Sequence, residues 1–241
     1  MKACEKKISK FVLWTLPCIF MLTVLCSLST TASASDKTEA QSLIDKSRGT
    51  ITNLMSNDAF SGLKEYLKTA KGVIIFPQVL KAGFFWGGSG GTGVLLVHDE
   101  ATGNWSEPAF YTVGSVTFGF QIGGEAAEMI MVATNQKALD SLFTSTVKLG
   151  GDTSIAIGPV GGGAKGSITV PAVTADFVSF SKTKGLYAGL NLEGSVLGVR
   201  DDLNSAYYGK KVTPKDILEM KVADNSGANE LRLALKKALA K

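Results

Sequence analysis

Ser115-Val-Thr-Phe-Gly-Phe-Gln-Ile122 is the most legible stretch of this chain. Val116, Phe118, Phe120 and Ile122 alternate with Ser115, Thr117, Gly119 and Gln121, the period of two that a half-buried β-strand requires. Upstream, Val73-Ile-Ile-Phe76 is a short, continuous apolar run halted by Pro77, the pattern of a strand buried on both faces. Residues 82–86 and 94–97 read as two more strands joined by a glycine-rich turn at 87–93, and 105–113 as extended chain with Pro108 at an edge or bulge. Downstream, 126–134, 154–157, 168–173, 176–180 and 186–192 repeat the style between further glycines. Strands holding so many of the 27 glycines need tight turns, bulges or close backbone approach, which means a strongly bent sheet.

Helices flank this region. Over 36–57, Ala40, Leu43, Ile44, Ser47, Ile51, Leu54 and Met55 recur at three- and four-residue steps, with Gly49 weakening the middle. Asp58 reads as the N-cap of a second helix to residue 71, with Phe60, Leu63, Leu67 and Ala70 on one face and Lys64, Lys68 and Lys71 on another. Asn135 caps a short helix to about residue 144, and 201–208, 214–220 and 228–240 read as helices at the far end. The last carries Arg232, Lys236, Lys237 and Lys241, its basic end matching the helix dipole. The expected class is α+β: a mainly antiparallel, strongly bent sheet curled toward a barrel, with amphipathic helices at both ends of the chain.

The first 34 residues read separately. Lys2, Lys6, Lys7 and Lys10 precede an apolar run from Phe11 to about Leu28, and then a small, polar stretch containing Ala32-Ser33-Ala34. That order is a secretory signal peptide cut after Ala34, and export follows as an expectation. Cys4, Cys18 and Cys26 all lie in this segment, so the remaining 207 residues need no disulfide or thiolate metal site. They are expected to form one domain: helices over 35–71, the glycine-rich sheet over 72–200, and C-terminal helices over 201–241.

Charge and motifs exclude several functions. The segment before residue 35 carries +3 of the chain's net +4, leaving a nearly neutral body that is poorly suited to nucleic acid. Residues 88–93 satisfy G-x-G-x-x-G but open a strand-like run, whereas a dinucleotide site needs a helix there. Residues 87–91 satisfy G-x-S-x-G, but the single histidine, His98, lies one strand from Ser89 and reads as a solvent-facing turn residue. In the glycine-rich stretch 158–167, Ala164 displaces the lysine a phosphate-binding loop requires. One histidine and scattered carboxylates make no metal site, Asp201-Asp202 reads as a helix cap, and nothing places a substrate beside Glu125 and Glu128. No catalytic residue, cofactor or metal is expected. What remains is a surface: lysines at about 1 kcal/mol each toward anionic headgroups, beside an apolar face able to insert.

Several segments together resemble the SYLF domain family. They are Lys71-Gly-Val-Ile-Ile-Phe-Pro77, Ala82-Gly-Phe84, Trp105-Ser-Glu-Pro-Ala-Phe110 and Gly119-Phe-Gln-Ile-Gly123. Leu149-Gly-Gly-Asp152, Lys184-Gly-Leu-Tyr-Ala-Gly189, Leu192-Glu-Gly194 and Asn204-Ser-Ala-Tyr-Tyr-Gly209 follow in order. The resemblance runs from about Ala40 to Leu218 and implies a lipid-binding module of the exported bacterial type. Eukaryotic relatives bind phosphoinositide membranes partly through an N-terminal amphipathic helix, and some bind actin. Carried over, the lipid contact is the helix from Asp58 to Lys71, with Lys64, Lys68 and Lys71 on headgroups and Phe60, Leu63 and Leu67 inserting. Export would separate the chain from cytosolic actin and phosphoinositides, making generic anionic phospholipid the expected partner. Two alternatives stand beside it: an envelope protein holding a hydrophobic small molecule inside the curled sheet, and a structural domain that binds envelope proteins.

Overall fold

The computed structural model describes residues 34–83, 86–118, 123–159, 174–183 and 192–240. The signal-peptide reading lies outside these residues, as do residues 119–122 of the alternating stretch, the strand expected at 168–173 and most of the one at 186–192. Helix α1 spans 34–55; a 3-10 turn over Asp58–Phe60 then leads into α2 (Ser61–Lys68). The cap is Asn57, not Asp58: its side chain accepts from the Ala59 backbone N–H. The long strands follow as β1 (Gly72–Gly83), β2 (Trp86–Asp99), β4 (Ala109–Phe118) and β5 (Gly123–Ala133), with the short β3 (Asn104–Trp105) beside β2. Next come α3 (Gln136–Leu142), β6 (Thr146–Lys148), β7 (Ile155–Ile157), β8 (Phe177–Thr183) and β9 (Val196–Val199). The chain finishes with α4 (Asp201–Tyr208), α5 (Pro214–Leu218) and α6 (Asn229–Ala240).

The strands form one curled half-barrel in the order β6-β9-β4-β2-β1-β5-β8-β7, antiparallel throughout except between β7 and β8. Its centre is apolar on both sides, as the continuous runs require. Val73 and Ile75 join Val94, Leu96, Ile130 and Phe180 on one face, under Ile51, Leu54, Leu63 and Leu67 of α1 and α2 and Leu203, Leu231 and Leu235 of α4 and α6. Ile74 and Phe76 join Leu95, Tyr111, Met129 and Phe177 on the other, under Ala138 and Leu142 of α3 and Ile217 and Leu218 of α5. Polar bonds register the layers. Thr50 and Asn53 of α1 donate to Glu128 of β5 at 3.3 and 2.6 Å, and Lys182 of β8 donates to Asn53 at 2.9 Å.

Three strand expectations change. Pro77 does not end β1: the strand continues past an irregularity in its pairing with both neighbours, where the missing proline N–H costs no ladder bond. The glycines of 87–93 are strand, not turn. The bulging β1 backbone comes so close that a Cβ on Gly93 would sit 2.5 Å from the Ile75 carbonyl oxygen and 2.6 Å from the Phe76 ring. Residues 109–113 and 115–118 belong to one strand through Gly114, and Val116 is 72% exposed, so the apolar side of the opening stretch is bare there. The strands β6 and β9, which pair with each other and with β4, were not expected from the sequence.

Candidate functional site

The amphipathic pattern of α2 is used for folding. Phe60, Leu63 and Leu67 are at most 1% exposed, packed into the core beneath α1 and α6. They are therefore not a membrane-inserting face in the folded domain, because a helix that pairs with a sheet spends its apolar stripe on that sheet. The lysines remain outside. Lys68 donates to Glu65 at 2.8 Å, and its hydrogen bond and charge hold the Glu65 carboxyl below its ordinary range. Lys71 sits beside the β2–β3 turn and donates to Glu100 at 2.8 Å, lowering that carboxyl in the same way. Lys64 forms no ion pair among the described residues, is half-buried, and lines an open groove.

That groove, about 970 Å³, runs between α1 and α6 and is closed at one side by α2. Three helices each place a cation on it: Arg48, Lys64 and Lys237. Met55, Leu233 and Ala234 supply apolar lining, with Leu233 46% exposed. Asp45 and Glu230 are the carboxylates present; Glu230 lies 3.6 Å from Arg48, and both are open to water, so this pair is weak. Of the predicted site residues, only Lys64 belongs to the groove. Arg48 and Lys237 were missed, because only packing brings residues almost 190 positions apart onto one rim. The other basic residues of α6 serve the fold: Arg232 donates to Glu107 at 2.7 Å and to the Trp105 carbonyl at 2.9 Å, and Lys236 to Asn104 at 3.0 Å.

Other sequence candidates are accounted for by structure. His98 is not a solvent-facing turn residue; it stacks on Trp105 with ring centroids 4.7 Å apart, and its Nδ1 lies 3.3 Å from the Ala70 carbonyl oxygen. Ser89 pairs with Ser115 at 2.7 Å, and nine residues of one strand, roughly 30 Å, separate it from His98. Glu125 and Glu128, three positions apart on β5, point to opposite faces, so they do not form a pair. Asp202 is held by Arg200 at 2.7 Å. No cluster of three or more metal-ligating side chains occurs among the described residues.

Two buried carboxylates have displaced protonation. Burial pushes Glu107 up to about 7, with Arg232 opposing and Asp224 assisting. Burial also raises Asp176, but the Ser154 N–H, Lys137, Asn135 and the Ser154 hydroxyl outweigh it and bring the carboxyl down to about 2. Both lie in packing junctions, Glu107 under α6 and Asp176 between β7 and α3.

Residues 114–238 match the family described as Ysc84, Las17-binding protein actin regulator. An SH3 domain-containing protein of Schizosaccharomyces pombe is 38% identical over 68% of this chain and 38% of its own length. Protein YSC84 of Saccharomyces cerevisiae is 35% identical over 68% of this chain and 35% of its own. The human SH3 domain-containing YSC84-like protein 1 is 32% identical over 62% and 43%. The chain thus spans well under half the length of these relatives. No solved structure was found to match it. With more than half of its length, from within β4 to α6, matching the family model, the chain belongs to the Ysc84 family, whose shared unit is the SYLF domain.

Proposed function

We propose that this is an exported, non-enzymatic domain that associates peripherally with anionic phospholipid membranes through its helical face. The carrying observation is the convergence of Arg48, Lys64 and Lys237, from three separate helices, around one open groove. Lys68 on α2 and Lys71 just beyond it are further cations, each paired with a carboxylate in the folded domain. Each lysine or arginine near an anionic bilayer contributes about 1 kcal/mol, so the three groove cations acting together, reduced by the nearby Asp45 and Glu230, give an affinity that salt would screen. Phe60, Leu63 and Leu67 enter this reading as the support that holds the lysines in place. Because they do not insert, the association is chiefly electrostatic.

The test is co-sedimentation of the chain from Ser35 with phosphatidylglycerol-containing and with pure phosphatidylcholine vesicles across a salt series. Binding confined to the anionic vesicles and fading with salt is expected. Reversing Lys64, Lys68 and Lys71 to Glu should abolish it, and unchanged binding would remove α2 from the contact. The family's description names protein partners, so a pull-down from the envelope fraction is the companion experiment. Capture of a protein by the wild type, lost in the same triple variant, would assign this face to a protein instead.

A further inference from the structure

The geometry points to the α1–α6 groove as a site for one anionic lipid molecule, its phosphate held by Arg48, Lys64 and Lys237 and an acyl chain lying along Gly49 toward Leu233. This rests on the membrane reading and sharpens it from a charged surface to a ligand site.

Three independent observations carry it. The first is chemistry: the groove combines an apolar wall with a rim on which Arg48, Lys64 and Lys237 outnumber Asp45 and Glu230, the two halves of an anionic amphiphile's complement. Its volume of about 970 Å³ falls within the roughly 300–1,000 Å³ of small-molecule sites. The second is Gly49. It lies inside α1, where glycine is the poorest ordinary helix former, and an added Cβ would meet no atom within 4 Å. No turn, positive φ or neighbouring backbone asks for glycine at this position. A side chain there would project into the groove, so the missing Cβ keeps the groove open at a cost to the helix. The third is Lys64. Lys68 and Lys71 are in ion pairs at 2.8 Å, whereas Lys64 feels Glu65 only through its charge, forms no ion pair among the described residues, and lines the groove. A protein helix could also lie between α1 and α6. The cationic rim and the single missing side chain favour a phosphate with a narrow chain over a wide helical face.

The test separates the groove from the membrane surface. The chain from Ser35 is titrated with dihexanoyl phosphatidylglycerol below its micelle concentration, followed by calorimetry and native mass spectrometry. Dihexanoyl phosphatidylcholine and inorganic phosphate serve as comparison probes. One phosphatidylglycerol per protein is expected, with weaker phosphatidylcholine binding and no displacement by phosphate. Gly49→Leu should bind about tenfold more weakly, equivalent to about two methylenes left in water, while its thermal midpoint is equal or higher. Gly49→Ala, which adds one carbon, should fall between the two and covers the case in which the leucine variant misfolds. Arg48→Glu should weaken phosphatidylglycerol but not phosphatidylcholine binding.

Equal affinity in folded Gly49→Leu, or displacement by inorganic phosphate alone, would overturn the groove. Sedimentation with anionic vesicles in a protein that binds no short-chain lipid would also overturn it while leaving the membrane reading standing. One-to-one lipid binding without vesicle sedimentation would support the groove and remove the peripheral-membrane reading.

Discussion

Glu107 and Asp176 are both buried carboxylates, yet they respond to pH in opposite directions. Asp176 receives donors from Ser154, Lys137 and Asn135, and its carboxyl is held at about 2. Its contribution is present above the ordinary aspartate range near 4 and is lost as pH falls toward 2. Asp176→Ala strands the donors that tie β7 to α3, and a loss of about 1–3 kcal/mol is expected in urea unfolding at pH 7. Glu107 titrates at about 7 because its burial outweighs the favourable charge of Arg232. A raised carboxyl makes its contribution in full below its unfolded value near 4.5 and loses it as pH rises through 7. The urea midpoint should therefore fall between pH 5 and pH 8, a window in which Asp176 is silent. Glu107→Gln, a neutral isostere of the protonated form, should flatten that slope, and an unchanged slope would place its origin elsewhere.

At the scale of elements, the glycines divide by what surrounds them. Gly93 in β2 faces the Ile75 carbonyl and the Phe76 ring at distances no Cβ tolerates, whereas Gly49 in α1 faces open space. Gly93→Ala should destabilise the domain by about 1–3 kcal/mol or more, through forced movement of β1. Gly49→Ala should stabilise it by about 0.5–1 kcal/mol from helix propensity alone. Thermal unfolding of the two variants, run side by side, checks both signs. A destabilised Gly49→Ala would mean that α1 needs the glycine for packing. The same contrast explains what was readable. Glycine abundance signalled a bent sheet, but the sequence could not distinguish a glycine in a turn from one pressed against a bulge in the neighbouring strand. Residues 87–93 therefore read as a loop and are strand.

For the whole molecule, the two ends of the chain share one layer. Ile44, Ile51 and Leu54 near the start and Leu231 and Leu235 near the end are fully buried in the same core as Val73 and Ile75. Truncation after Ala228 should accordingly abolish the cooperative unfolding transition rather than lower its midpoint, because removing α6 opens the core beneath α1 and α2. A retained sharp transition would show that α6 is an appendage. Local pattern was enough to identify the apolar runs of β1, β2 and β5, the faces of α1, α2 and α6, the Asn135 cap and the α+β class. Each of these follows from the chemistry of a few neighbouring residues. Strand order, the short strands β6 and β9, the fate of the α2 apolar face and the meeting of Arg48, Lys64 and Lys237 were not readable in that way. They depend on which surfaces pack together across the chain. A helix's periodicity says that one face is buried without saying against what. Here the sequence marked α2 as amphipathic and basic; the tertiary structure decided that its apolar face holds the core and that Lys64 opens onto a groove between α1 and α6.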